Sequence, residues 1–591
     1  MNTYSKNTND YLYSFVFIWR GLSRRRRVQV VKLFVLMVVC GIAELVSLTS
    51  VVPFLLVLTD PDRLSKIKIL SPLISYIGIE NRTNLLLLVT SIFIFASFFT
   101  MIVRLLSLWL NSKLAAAIGS ELSVKVYSNI LNKRYSWHLN NNSSSIINDI
   151  TNNVAFTIGF LNSFLRIATL SIVSIFIVSG LLSINGKVAI VAFFVFLGAY
   201  LLLALSVRKR FAFNGRILVK AYQLQLKTLQ EGFGAIRDVI LGDYQDYFSS
   251  IYKSVDRPLR LRQAQNEFLQ GSPRFILESI CIVLIAIIAF FLTLANITST
   301  EIITLLGTFA LGSQKLLPTM QGIYNDWASI KTFYPGVSSI LETLSADKTL
   351  KILPNSVYEK DFFLDSIKIK SLRFRHQNSN IDVLSNIDLE IFKGQKIGIV
   401  GKTGSGKSTL IDLIMGLLDP TSGEISVDGN IISSENPEFL KFWRSSISHV
   451  PQNIYLSDNS IIDNIAFGIE RKNIDYSKVL RAARMANISS FIEALPDSYD
   501  TKIGERGVRL SGGQCQRIGI ARALYKDAQL IIFDEATSAL DSETESSVIK
   551  TIHNLSRDIT LIMIAHRTST LVNCDSVYEV TRQSLIKKIL N

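Results

Sequence analysis

Six stretches of this chain are long and apolar enough to cross a lipid bilayer: residues 29–58, 85–110, 162–183, 187–206, 275–296 and 302–323. A span needs roughly 20 mostly apolar residues. In hydrocarbon every backbone polar group must be paired internally, so such runs fold as helices. The last run is the least regular, because Lys315 and Pro318 interrupt it. Composition agrees with a membrane half: 49% of the 591 residues are hydrophobic and 18% are charged, with a mean hydropathy of +0.33. Soluble globules carry roughly 25% charged residues. The net charge of +15, from 62 Lys+Arg against 47 Asp+Glu, would suit nucleic acid in a soluble protein. Beside these apolar runs it reads as basic cytoplasmic loops, with no nucleic acid partner. Cys40, Cys281, Cys515 and Cys574 show neither zinc spacing nor a disulfide framework, which excludes a secreted, stapled domain.

A short apolar patch, Tyr11–Trp19, precedes Arg24-Arg25-Arg26-Arg27 and the first long run. No small-residue cleavage site follows the patch, so residues 1–27 are expected to form a cytoplasmic interfacial helix and not a cleaved signal. The basic cluster places the N-terminus in the cytoplasm, and an even number of spans returns the C-terminus there. The short loops 184–187 and 297–300 are then external. The long basic loops 111–161 and 207–271 are internal, with helices running well past the bilayer. In the first external loop Leu64, Ile67, Leu70, Leu73, Ile74 and Ile77 recur at helical spacing, with Pro72 as a kink. An amphipathic surface helix over about 64–79 is expected, as an interfacial anchor or a lipid-binding element. The six-span domain is 28–342, a polar linker with Pro354 covers 343–360, and residues 361–591 form a second domain.

That second domain opens with a β-rich run, Gln395–Val400, then Gly401-Lys402-Thr403-Gly404-Ser405-Gly406-Lys407-Ser408-Thr409, then a helix-like run over 410–418. Strand, Gly-rich loop and helix in this order make a P-loop. Gly401, Gly404 and Gly406 let backbone N–H groups wrap phosphates, beside Ser405 and Thr409. Lys407 brings positive charge to the terminal phosphates, and the Ser408 hydroxyl suits Mg²⁺. Downstream, Leu530-Ile531-Ile532-Phe533 ends in Asp534-Glu535. An apolar run ending in acids is a buried parallel strand presenting carboxylates at its C-terminal edge. Asp534 is placed to hold Mg²⁺ and Glu535 to polarise an attacking water.

Leu510-Ser511-Gly512-Gly513-Gln514 resembles the signature of the ATP-binding cassette family. Gln452, Ser538-Ala539-Leu540-Asp541 and His566 fall in the family's order, and Gly504-Glu505-Arg506-Gly507 is similar to a segment of its exporters. The resemblance covers the second half and fits the spans ahead of it. It implies a multi-domain membrane protein: an all-α six-helix transmembrane domain followed by an α/β P-loop nucleotide-binding domain. ATP and Mg²⁺ are the implied cofactors. Gln452 would join Ser408 and Asp534 at the metal, and Glu535, His566 and Gln452 would serve hydrolysis. Ser511, Gly512, Gly513 and Gln514 would meet the ATP held by a second cassette, so a half-transporter acting as a homodimer is implied. Force would pass through the loop segments 139–152 and 234–244. Two positions depart from the pattern. His376, in Phe374-Arg375-His376, stands where an aromatic usually stacks on adenine, and Cys515 follows the signature where Lys or Arg is common, with little effect expected beyond some thiol sensitivity.

Ionisable residues inside spans are functional candidates. Arg104, Arg274 and Lys315 lie in or beside three different spans, with Glu44 in the first and Glu278 four residues from Arg274. They read either as structural ion pairs and snorkelling ends or as the lining of one cavity for an anionic cargo. Glu44 with Val51-Val52-Pro53-Phe54, Arg104-Leu105-Leu106, Pro273-Arg274 with Leu277-Glu278, and Lys315-Leu316-Leu317-Pro318 resemble the PglK-type flippases of lipid-linked oligosaccharides. That resemblance implies ATP-driven transfer of a polyprenyl-diphosphate glycan across a bacterial inner membrane, with Arg104, Arg274 and Lys315 at the pyrophosphate and Lys in place of the usual Arg at the last. The alternative is an exporter of lipid A, a drug or a peptide, for which an apolar, aromatic-lined cavity is expected.

Overall fold

The computed structural model describes residues 9–59, 82–184, 186–294, 299–345, 363–376, 379–535, 545–546, 550, 558–565, 571–581 and 584–588. The expected surface helix at 64–79, the segment 538–541, His566 and all but the first residues of the linker lie outside the described residues. The chain divides into two compact units, Met1–Lys133 with Asn140–Asp347, and Arg134–Leu139 with Lys348–Asn591.

The first unit is helical throughout. Helix α1 spans Asn9–Gly21, α2 Arg24–Thr49, α3 Val51–Thr59 and α4 Arg82–Leu131. Short helices α5 (Tyr135–Asn140) and α6 (Ser143–Asn148) and a π-turn, Asp149–Asn153, lead into α7 (Val154–Ile184). Then come α8 (Gly186–Gly234), α9 (Ile236–Leu241), α10 (Gln245–Leu294) and α11 (Ser299–Ser345). Four described stretches are long and apolar enough to cross a membrane: Arg24–Leu55, Leu86–Leu131, Ser143–Ser183 and Gln245–Leu294. The runs 187–206 and 302–323 lie within α8 and α11. The arginine cluster forms the first turn of α2, so the N-terminal helix ends at Gly21 and not at residue 27. Phe95, Phe98, Ile102, Ile282, Phe290 and Phe291 stand exposed on α4 and α10. Such outward apolar faces belong against lipid.

Between the helices, polar side chains join backbones. Tyr324 Oη donates to Leu269 O (3.1 Å), Gln321 Nε2 to Gln270 O (2.7 Å) and Tyr200 Oη to Gln321 Oε1 (3.2 Å). Without water, interhelical hydrogen bonds of this kind help to fix the packing. Helix α11 continues through Pro318 and Pro335, where soluble helices would break. At the π-turn, Asp149 accepts from Asn153 Nδ2 (2.6 Å) and Ser339 Oγ (2.8 Å), which ties α7 to the last turns of α11.

The second unit is α/β. A four-stranded antiparallel sheet has the order β2 (Leu384–Phe392), β1 (Ser366–Phe374), β4 (Ser422–Val427), β5 (Asn430–Ile431). A six-stranded sheet has the order β10 (Leu585–Lys588), β9 (Ser576–Val580), β3 (Lys396–Val400), β8 (Thr560–Ile564), β7 (Leu530–Asp534), β6 (Ile447–Val450). It is parallel except for the β9–β10 pair. Its helices are α12 (Lys407–Ile414), α13 (Pro437–Ser445), α14 (Ile461–Ile465), α15 (Tyr476–Met485), α16 (Ser489–Glu493) and α17 (Gly512–Tyr525). Side chains alternate across the sheet. Ile531, Phe533, Leu561 and Met563 enter one core, while Leu530, Ile532, Ile562 and Ile564 enter the other. Burial on both faces explains why these strands read as unbroken apolar runs.

The segment Arg134–Leu139 groups with this second unit, and Arg134 Nη1 lies 3.4 Å from Asp419 Oδ2. The expected force-bearing segment 139–152 shares its first residue, Leu139, with this group.

Candidate functional site

The P-loop sits where β3 ends. Ile399 pairs with Ile564 of β8, and Asp534 of β7 pairs with the same Ile564. The ends of three parallel strands are thus level, and the P-loop and the Asp534-Glu535 pair share one edge of the sheet. Ligands bind at this edge of open α/β sheets because the loops there diverge. Gly401, Gly404 and Gly406 hold φ of 152°, 78° and 99°, conformations open to glycine. A Cβ at Gly401 would lie 2.4 Å from Val580 O, whereas one at Gly404 would meet only open space, as a cradle for a ligand requires. Lys407 Nζ donates to Gly401 O (2.8 Å) and Lys402 O (3.2 Å), bent over the loop. The buried Ser405 Oγ has no hydrogen-bond partner among the described residues. Ser408 is exposed and Thr409 half-buried at the start of α12. A helix N-terminus, a lysine and an unsatisfied hydroxyl gathered at one loop fit a polyphosphate.

Beside it, Gln452 Nε2 donates to Glu535 Oε2 at 2.8 Å. Glu535 takes a left-handed backbone, φ 49°, and its N–H donates to Ile564 O (3.0 Å). Strain of this kind concentrates at functional positions. Burial and the Asp534 charge push the Asp412 carboxyl up to about 6. Ser408, Asp534 and Gln452 carry oxygen atoms, the donor type that Mg²⁺ prefers. His376 is exposed, with its ring 5.0 Å from Phe374 and edge-on to it. The signature forms a capping box at the start of α17: Gln514 N–H donates to Ser511 Oγ (3.3 Å) and Ser511 N–H to Gln514 Oε1 (2.8 Å). Ser511 and Gly512 are exposed and Gly513 is half-buried, so this helix start faces outward.

The first unit holds a cavity of about 590 Å³. Cys40 of α2, Arg104, Ser107 and Asn111 of α4, Arg166 and Thr169 of α7, and Gln314 and Lys315 of α11 are among its lining. Buried Glu44 bridges two of these cations: one carboxylate oxygen pairs with Arg104 Nε, the other lies 3.2 Å from Lys315 Nζ. Lys315 also donates to Ser47 Oγ at 2.8 Å. Arg166 Nε lies 3.3 Å from Asp326 Oδ2.

Comparison with known proteins agrees with this architecture. Residues 29–315 match the ABC transporter transmembrane region and residues 384–538 match the ABC transporter domain. The chain pairs an ABC transporter membrane region with an ABC transporter cassette. The structure of a bacterial Atm1-family ABC exporter with ATP bound superposes with a TM-score of 0.76 over 96% of this chain and 95% of that one, at 22% identity. The fold is therefore that of an ABC exporter. Among curated relatives, Multidrug resistance protein 1 of Entamoeba histolytica is 38% identical over 46% of this chain and 22% of its own length. HepA of Nostoc, a heterocyst differentiation ATP-binding protein, is 38% identical over 48% and 45%. HlyB of Escherichia coli O157:H7, an alpha-hemolysin translocation ATP-binding protein, is 44% identical over 36% and 29%. The chain spans less than half the length of these relatives. The cassette binds and hydrolyses ATP with Mg²⁺, a property of the matched domain. Magnesium, when bound, neutralises charge that develops on the phosphates.

The first unit brings together Arg104 and Lys315, as expected for one cavity, but not Arg274. That side chain is exposed on α10, 67% accessible, and its Nε pairs with Glu278 Oε1 at 2.7 Å. The i,i+4 spacing already offered this pair, and within one chain the structure takes that reading because Glu278 is the nearest available counter-charge. Arg166 is the third cation of the cavity and was not singled out in the sequence. It sits near the start of its span, where a cation reads as an end that reaches the interface. Its partners on the same face, Thr169, Leu170 and Val173, follow at helical spacing and were the available signal.

Proposed function

We propose that this chain is one half of a homodimeric, ATP-driven flippase of the bacterial inner membrane, with both termini cytoplasmic. Its cargo would be a lipid whose headgroup carries a diphosphate, such as a polyprenyl-diphosphate glycan. The observation that carries this reading is the cavity that Arg104, Lys315 and Arg166 line from three helices. Their counter-charges are Glu44 and Asp326, so the lining keeps one positive charge in excess. A sugar diphosphate cannot cross hydrocarbon unaided. A cationic cavity beside lipid-facing helices lets the headgroup pass while the polyprenyl tail stays in the bilayer.

At the cassette, Lys407 and the P-loop amides hold the phosphates. Ser408, Asp534 and Gln452 orient the metal's ligand shell. Glu535, steadied by Gln452, accepts hydrogen bonding from the attacking water, and His566 completes the set. Ser511 and the amides of Gly512 and Gly513, exposed at the start of α17, meet the nucleotide of a second copy, with Gln514 fixing the cap.

The test is flipping in proteoliposomes, with a fluorescent polyprenyl-diphosphate oligosaccharide and ATP. Movement should be abolished by Glu535→Gln and reduced severalfold by Arg104→Ala. Intact ATP hydrolysis with no movement would redirect the search to lipid A, drugs or peptides, a reading favoured by the names of the multidrug and hemolysin relatives.

A further inference from the structure

The three cations of the cavity do not stand at one level. Helices α7 and α11 run antiparallel: Ser174 Oγ donates to Thr319 Oγ1 (3.1 Å), and Arg166 meets Asp326 one more span of turns along (3.3 Å). Lys315 precedes Asp326 by eleven residues, about 16 Å of helix at 1.5 Å per residue. Arg104 belongs to the Lys315 level, because both reach Glu44. The cations of this one cavity are therefore anchored at two levels along α11 and pair with two different carboxylates, Glu44 and Asp326. Of these two stations, Arg166 occupies the one nearer the C-terminal end of α11.

The stations differ in charge and exposure. Arg166 with Asp326 is a neutral pair, and the arginine side chain is 46% accessible. At the other station two cations share the single carboxylate of Glu44, which is 1% accessible. An anion is thus drawn past the neutral pair toward the station that holds the excess positive charge. Resting on the flippase reading above, we infer that Arg166 is the outer station, where the anionic headgroup first arrives, and that the Glu44–Arg104–Lys315 triad is the inner station, where it is held. Asp326 sets how readily the outer guanidinium is given up to the headgroup. This assigns Arg166 the task of capture.

Charges at a rim govern association, whereas buried, paired charges govern dissociation. The full-length protein in zwitterionic nanodiscs would be mixed rapidly with farnesyl diphosphate, with farnesol as the uncharged control, and followed by tryptophan fluorescence. Arg166→Gln combined with Asp326→Asn leaves no orphaned charge; it should slow diphosphate association about fivefold and flatten its salt dependence, with dissociation within about twofold. Lys315→Gln should instead speed dissociation, by about tenfold. Asp326→Asn alone frees the guanidinium and should accelerate association about twofold, a gain that misfolding cannot imitate. Association at the wild-type rate in the double variant, or no gain in Asp326→Asn, overturns the outer station while leaving the flippase reading intact. Wild-type protein that binds farnesyl diphosphate no better than farnesol removes both.

Discussion

At the scale of single residues, environment decides what a side chain can do. Cys515 follows the signature, where little effect beyond some thiol sensitivity is expected. It is half-buried, its Sγ faces Gly507 O at 3.9 Å, and burial raises its thiol above the ordinary range. Cys574 is pushed up to about 12 by burial and the neighbouring Asp575 charge. The thiolate is the reactive form, so raised values suppress alkylation at neutral pH. N-ethylmaleimide at pH 8 should modify both residues at least about tenfold more slowly in the native protein than after denaturation, with ATPase activity retained. Peptide mapping of the labelled sites checks this; rapid native labelling at Cys515 would show that its exposure had been misjudged.

At the scale of elements, caps and small ion networks hold the cassette's short helices. Helix α14 has only five residues and begins at a Ser460 cap, where Asp463 N–H donates to Ser460 Oγ at 3.4 Å. Arg471 Nη1 donates to Asp463 Oδ1 at 3.0 Å, and Arg471 also pairs with Asp500. Burial pulls the Asp463 carboxyl upward, but hydrogen bonds from Ser460 and Arg471 outweigh it and hold the group below its ordinary value. A depressed carboxyl stabilises the fold fully above the unfolded value, about 3.9, and that contribution fades as pH falls through the lowered one. Arg471→Met should therefore lower the melting temperature at pH 7 and shrink the further loss on acidification below about pH 4. Thermal scans of the purified full-length protein between pH 3 and pH 7 measure it; parallel curves for the two proteins would rule the network out as the source.

At the scale of the whole molecule, one chain carries one P-loop and one signature segment. If each ATP site takes its P-loop from one copy and its signature from the other, two different inactive chains complement. Lys407→Ala and Gly513→Asp homodimers should both be inactive. Co-expressed, they should recover about a quarter of wild-type ATPase, since half of the dimers are mixed and each mixed dimer retains one intact site. Activity no greater than either homodimer would show that both halves of a site come from the same chain. With each site shared between two copies, the exposed helix start at Ser511 would be the part of the signature that meets the second copy.

Local pattern was enough for much of this. The long apolar runs specify helices because hydrocarbon leaves the backbone no other partner, and the described residues of each run are helical except at Ser50, the turn between α2 and α3. The order of P-loop, signature and Asp534-Glu535 specifies the cassette because phosphate binding demands those residue types at those strand ends. Pairing across helices was not legible, since it depends on packing that no spacing records. Glu44 bridging Arg104 and Lys315, and Arg166 turning inward to Asp326, are choices among several available counter-charges. Only the tertiary arrangement makes them, because an ion pair in a low-dielectric interior forms with whichever partner the folded helices bring within reach.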